Sequence, residues 1–302
     1  MGGLQTVGLV ILGAGLIAAT GFDLRSREVP DAVWVALGSV GTLLGAVTIA
    51  PLGMVPIVLW VLVGALVIGP SIPGDRLLGR SSVRVGRWAE PLAYLGVGLV
   101  LLATGGLGGV GAAGHLPWSV VAVYVTVLLA RGLFESGIFG GGADAKALMT
   151  VALFLPFGIA PILPSPTIAT ALLTALPFSV TVLLNALLLS LAVPAYLVLL
   201  NLRRGEFRWD AGFRRYRLAV SEIPRRFVWV DDPEVGIQTL GTEAETARED
   251  LEIRTEVRDR LTRDGVREVW VTPQVPFVAL ISAGVGVGIL AGNLIFLFWG
   301  AL

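Results

Sequence analysis

The chain has no cysteine, one histidine and one lysine. Without cysteine there are no disulfides, thiolate metal sites or cysteine nucleophiles. The single histidine, His115, lies in a glycine-rich stretch and cannot build a multi-histidine metal site; it reads as a loop residue. Charge is scarce too. Only 15% of the residues are charged, against about 25% in an ordinary soluble domain. The stretches 1–22, 32–74, 91–130, 147–202 and 269–302 contain no Asp, Glu, Lys or Arg. Net charge is zero, so no overall field draws the chain to nucleic acid. These shortages exclude a soluble globular enzyme, a disordered chain and a nucleic-acid-binding module. What fills the space is apolar: 55% of residues are hydrophobic and the mean hydropathy is +0.83. The five uncharged windows are 22, 43, 40, 56 and 34 residues long, and a bilayer-spanning helix needs roughly 20. The sequence is that of a polytopic membrane protein.

Turn signals divide the windows into spans. The first predicts one helix over 4–22; it lacks the basic start and small-residue cleavage site of a signal peptide, so it is expected to remain as a span. The second breaks at Ala50-Pro51-Leu52-Gly53, giving 32–49 and 54–71. The third breaks across the glycine-rich run 105–114, giving 90–107 and 117–134. The fourth breaks at Leu163-Pro164-Ser165-Pro166, giving 145–162 and 172–201, and the last gives 275–299. The expected fold class is therefore all-α and polytopic, with about eight transmembrane helices and a small cytoplasmic α+β insert. Its parts are a seven-span membrane core over 1–202, a charged domain over 203–272 and a final span over 273–302. Arginine placement orients it. Arg25 and Arg27, then Arg76, Arg80, Arg84 and Arg87, then Arg131 with Lys146, and fourteen arginines in 203–268 all fall in alternate loops. The intervening loops have none, so the positive-inside rule makes the basic side cytoplasmic and puts both termini outside.

Segment 203–272 contains 14 Arg and 15 Asp or Glu, which read as a solvated, self-paired surface. Short apolar runs around Pro224 in 216–231 could supply strands. Segment 243–263, with Leu251, Val257 and Leu261 among many charges, reads as an amphipathic helix.

A charge close to the hydrocarbon is a functional candidate, and two carboxylates qualify. Asp23 follows the first span, in Gly21-Phe22-Asp23-Leu24-Arg25-Ser26-Arg27-Glu28-Val29-Pro30. Asp144 directly precedes the sixth, in Gly140-Gly141-Gly142-Ala143-Asp144-Ala145-Lys146. In the expected topology both lie at the cytoplasmic edge. Two carboxyls in hydrogen-bond reach share a proton. The ionised one can take a proton from water while the protonated one polarises a carbonyl, the division of labour in aspartic proteases. Gly141 and Gly142 would let an extended peptide approach closely. The alternatives are plainer: Asp144 as a helix N-cap, and Asp23 as an interfacial charge paired with Arg25 or Arg27.

The two segments resemble the signatures of the GxGD membrane aspartyl proteases, and more narrowly the type IV prepilin and archaeal preflagellin peptidases. Asp23-Leu24-Arg25-Ser26-Arg27-Glu28-Val29-Pro30 is similar to that family's Asp-x-Arg-x-x-x-(Ile/Val)-Pro, and Asp31 follows the proline. Gly141-Gly142-Ala143-Asp144-Ala145-Lys146 is similar to Gly-x-Gly-Asp-x-Lys, with Ala143 in place of the second glycine. The run Trp270-Val271-Thr272-Pro273-Gln274-Val275-Pro276-Phe277 resembles the archaeal branch. The resemblance implies an aspartic endopeptidase with Asp23 and Asp144 as its catalytic pair, needing no metal and no organic cofactor. Its substrates would be the class III signal peptides of type IV pilin-like precursors and archaellins, cleaved at the cytoplasmic face of a multi-pass protein in the archaeal cell membrane. Partners would be those precursors and membrane lipids, with no nucleic acid. The absence of cysteine departs from the bifunctional bacterial members, so the resemblance implies peptidase without methyltransferase.

Lys146 fits the motif and would tune the pair or meet substrate, unless it is an interfacial anchor. Asp31 and Glu28 could attract the basic residues of the leader, or simply be solvated. Asp75 is at most a reserve member, and Asn185 is expected to bond another helix. Two other classes stay open: a transporter or channel, and a membrane scaffold without peptidase activity. Transport is disfavoured because no ionisable residue falls at a span centre.

Overall fold

The structure is a computed structural model that describes residues 3–69, 83–107, 118–139, 141–157, 159, 161–163, 176–239 and 247–300. His115, Asp75 and the break at 164–166 lie outside the described residues. The chain forms two compact units. The first comprises Met1–Gly21, Val29–Ala186 and Val278–Leu302; the second comprises Phe22–Glu28 and Leu187–Phe277.

The protein is mostly helical. The helices are α1 (Gly3–Ser26), α2 (Asp31–Ile49), α3 (Met54–Ile68), α4 (Val83–Leu107), α5 (Trp118–Glu135), α6 (Gly142–Phe154), α7 (Phe178–Ser190), α8 (Ala192–Arg204), α9 (Ala247–Arg263), α10 (Phe277–Ala291) and α11 (Leu294–Gly300). Among the described residues, four helical stretches are long and apolar enough to cross a membrane: Gly3–Ser26, Asp31–Leu52, Trp118–Glu135 and Phe178–Arg204. Met54–Ile68, Pro91–Thr104 and Phe277–Ala291 are apolar but shorter.

In the first unit α2 packs on α3 and α6, and α5 packs on α6. Gly53, at φ 108, takes a conformation that side chains resist and so makes the tight link from α2 to α3 possible. Those two helices then touch very closely. A Cβ on Gly45 would overlap the Trp60 ring, while Trp60 Nε1 donates to the Thr42 carbonyl at 2.9 Å. Gly45→Ala is therefore expected to cost about 1–3 kcal/mol through overpacking. Gly13→Ala, where an added Cβ meets no described atom within 4 Å, should not lower stability, and helix propensity should raise it by up to about 1 kcal/mol. Thermal unfolding of the two variants in detergent, followed by circular dichroism, checks the difference.

Helix α6 is the inner helix of this unit: Asp144, Ala145 and 147–153 are all buried. An all-round apolar surface suits a helix enclosed by others. It spans 13 residues, rather than the 18 expected over 145–162, because Leu155 precedes Pro156 and is pushed out of the helical region. Further on, Ile162 and Leu163 donate their N–H groups to the Ile289 and Leu290 carbonyls at 3.1 and 2.8 Å, satisfying the end of α10. Hydroxyls also join helices, Thr126 to Ser179 at 2.6 Å and Thr20 to Ser282 at 2.9 Å.

The second unit holds a four-stranded antiparallel sheet in the order β1-β4-β2-β3. The strands are β1 (Tyr216–Ala219), β2 (Val228–Asp232), β3 (Ile237–Gln238) and β4 (Glu268–Pro273). In register, Tyr216 faces Val271 and Val230 faces the same Val271 from the other side. Leu218, Val220, Ile223, Val228, Val230, Ile237, Leu261, Val269 and Val271 form its core, with Leu261 and Val257 supplied by the amphipathic α9. Asp232 fixes a strand end by accepting from the Trp270 and Glu234 N–H groups, both at 2.9 Å. Charges pair among themselves, as in Arg215–Asp231 at 2.8 Å and Arg254–Asp250 at 2.8 Å. Outside the spans, the Arg208 guanidinium grips Asp210 and holds its carboxyl below the usual range.

Candidate active site

Asp23 lies in the last turn of α1 and is 7% exposed. Helical spacing decides which arginine it faces. Residues four apart share a face, and Arg27 Nη1 lies 3.9 Å from Asp23 Oδ1. Arg27 also donates its backbone N–H to the Asp23 carbonyl at 3.1 Å. Glu28 follows as an exposed residue, its carbonyl accepting from Ser26 Oγ at 3.1 Å.

Asp31 opens α2 directly after Pro30, where a negative charge suits the helix dipole. Its carboxylate does not stand alone. Lys146 Nζ donates to Asp31 Oδ1 at 2.6 Å. The lysine side chain is 16% exposed and the aspartate 49%, so the pair lies at the surface, where such a contact is worth at most about 1 kcal/mol. This contact joins residues 115 apart in the chain and ties the start of α2 to α6 inside the first unit.

Asp144 is the third residue of α6 and 9% exposed. The N-cap is Gly141, extended at φ −154 and ψ 150, so Asp144 is not the capping residue of its helix. Its N–H donates to the Gly141 carbonyl at 3.3 Å. A Cβ on Gly141 would meet nothing within 4 Å, and one on Gly142 would meet only the Phe134 ring at 3.8 Å. Packing within the protein therefore does not require glycine at either position.

Asp23 belongs to the second unit and Asp144 to the first. The structure brings Lys146 to Asp31 and Arg27 to Asp23. It also supplies neighbours that sequence reasoning did not find. Phe227 and Gln274 contact Arg27 from 200 and 247 positions away, Arg254 stacks on the same Phe227 ring, and no local pattern around any of them marks that role. Asn185, expected to bond another helix, donates to the Gly284 carbonyl of α10 at 3.5 Å and to the Gly292 carbonyl just beyond that helix at 2.9 Å. Among the described residues, no three His, Asp or Glu side chains gather as a metal site would require. No family model matches the chain, and no curated protein matches it.

Proposed function

We propose that the chain is a membrane aspartic endopeptidase of the prepilin and preflagellin peptidase type. It would remove the short basic leader of type IV pilin-like precursors, archaellins included. In this reading eight spans place the basic loops, the 203–272 domain and both aspartates at the cytoplasmic side, and both termini outside. The observation that carries the reading is the 2.6 Å Lys146–Asp31 pair. A lysine two residues beyond Asp144 meets an aspartate directly after the first motif's proline, both inside the first unit. Two further facts agree with it. Asp23 and Asp144 are both buried carboxylates at helix ends, and the space beside Gly141 suits an extended peptide backbone.

The chemistry follows from two carboxyls sharing a proton. The ionised one takes a proton from water, and the water oxygen attacks the scissile carbonyl carbon. The protonated one donates to the carbonyl oxygen. As the C–N bond breaks, a proton passes to the leaving amine. Asp31, engaged by Lys146, serves here to hold the start of α2 to α6 rather than to draw in the leader.

A second reading, a transporter or channel, is favoured by the helix breaks after Phe154 and between Ala291 and Leu294, since broken helices build transport sites. A scaffold without activity is the third. Incubating membranes that contain the chain with a pilin-type precursor separates them. The peptidase reading expects a shortened product on a gel, and an uncut precursor in wild-type membranes rejects it.

A further inference from the structure

Within the second unit, Arg27 holds a backbone conformation that few side chains adopt. At φ 59 it is the one described residue other than glycine with a positive φ, a conformation that costs about 1 kcal/mol or more. Contacts far along the chain hold it there. Arg27 Nη2 donates to the Gln274 carbonyl at 2.9 Å. Its guanidinium lies over the Phe227 ring, 5.1 Å from the centre. The Gln274 N–H in turn donates to the Phe227 carbonyl at 2.9 Å, which closes a ring of three residues. Phe227 is itself gripped: the Arg254 guanidinium lies 5.0 Å from the same ring centre. Arg254 is 7% exposed, is neutralised by Asp250, and donates to the Pro224 and Arg226 carbonyls. Phe227 directly precedes β2 and Gln274 directly follows β4, so the gripping groups are set by the sheet.

We propose that Arg27 is a positioning residue: docked on Phe227 and Gln274, it fixes the last turn of α1, and the sheet domain thereby sets where the Asp23 carboxyl points. This gives the 203–272 segment a function, as the clamp of the site's first segment. The proposal rests on the reading of Asp23 as catalytic.

The test uses the full chain in lipid nanodiscs. Because the protein has no native cysteine, a single Leu24→Cys substitution at an exposed position takes a spin label beside Asp23. Phe227→Leu keeps the apolar bulk and removes the ring. It should raise label mobility at position 24, whereas Phe227→Tyr should not. A label at Leu251→Cys, on α9, should be unaffected, showing that the domain stays folded. In unlabelled chains Phe227→Leu should lower kcat for precursor cleavage about fivefold, the size of one cation–π contact, with KM within twofold; Phe227→Tyr should restore it. Equal mobility at position 24 in Phe227→Leu and wild type overturns the docking while leaving the peptidase reading intact. So does a loss confined to KM, or one that Phe227→Tyr fails to rescue. A wild-type chain that cleaves no precursor removes the catalytic meaning of Asp23 and overturns the proposal even if the labels move as expected.

Discussion

Asp23→Asn and Asp144→Asn should each abolish precursor cleavage while the protein still inserts and folds. In the proposed reaction the two carboxyls act as one unit. One must accept a proton from water and the other must give one to the carbonyl oxygen, and an amide does neither. Losses within such a unit are not additive, so the double variant should be about as inactive as either single one. The residues around the pair should follow a graded order. Glu28→Gln acts through a screened, exposed position and should be mild. Lys146→Met and Asp31→Asn should be intermediate and nearly equal, because each breaks the same 2.6 Å pair; the double change should add little to either. Asp75→Asn is the control and should cleave normally. The measurement is the rate of product formation in membranes with matched protein levels. An Asp144→Asn chain that cleaves at near the wild-type rate ends the aspartic reading.

Asn185→Leu should be the most damaging single change to the fold. Asn185 is wholly buried and serves the gap between α10 and α11. Its Nδ2 donates to the Gly292 carbonyl at 2.9 Å, and its Oδ1 accepts from the Leu294 N–H at 3.0 Å. Both partners are backbone groups that the break leaves without helical bonds. Leucine fills similar volume but satisfies neither. At about 1–3 kcal/mol for each buried polar group left unmet, the loss should reach roughly 3 kcal/mol. Hydrogen bonds between membrane helices average only about 0.6 kcal/mol, because side chains there find other partners. Backbone groups held at a fixed break have less freedom to do so. Unfolding by increasing detergent denaturant measures the cost, and a loss near the 0.6 kcal/mol average would show that the break satisfies itself by other means.

How much of this could be read in the sequence varies from helix to helix. The spans expected over 4–22, 32–49 and 117–134 are found as α1, α2 and α5, because uncharged windows bounded by charges or turn residues mark them. The span expected over 172–201 contains a break at Leu191 that periodicity does not show. Pro194 has no N–H to donate to the Ser190 carbonyl, so the chain divides into α7 and α8 while remaining one 27-residue apolar stretch. The last window, expected as 275–299, divides at Gly292, which has φ 80, and Asn293. Gly-Asn there is a stop and a start signal in series, overridden in the sequence reading by hydropathy. For the site, short motifs identified Asp23, Asp144 and Lys146 individually. They could not show that Lys146 meets Asp31, or that Arg27 meets Gln274 across 247 positions. Those are tertiary contacts, and sequence spacing carries no information about them without the fold.

The brevity of α6 bears on how the protein is made. Thirteen residues rise about 20 Å, well short of the roughly 30 Å hydrocarbon layer, and the first turns carry Asp144 and Lys146. Such a segment gains little by leaving the insertion channel for lipid on its own, since it is too short to cross the layer. It is accommodated by protein instead, against α2 and α5, which precede it in the chain and are long enough to be released first. In a bilayer, α2 and α5 are long and apolar enough to enter on their own, whereas α6 would settle only against them. A newly made chain would then hold Asp144 in place only after α2 and α5 are there to enclose its helix.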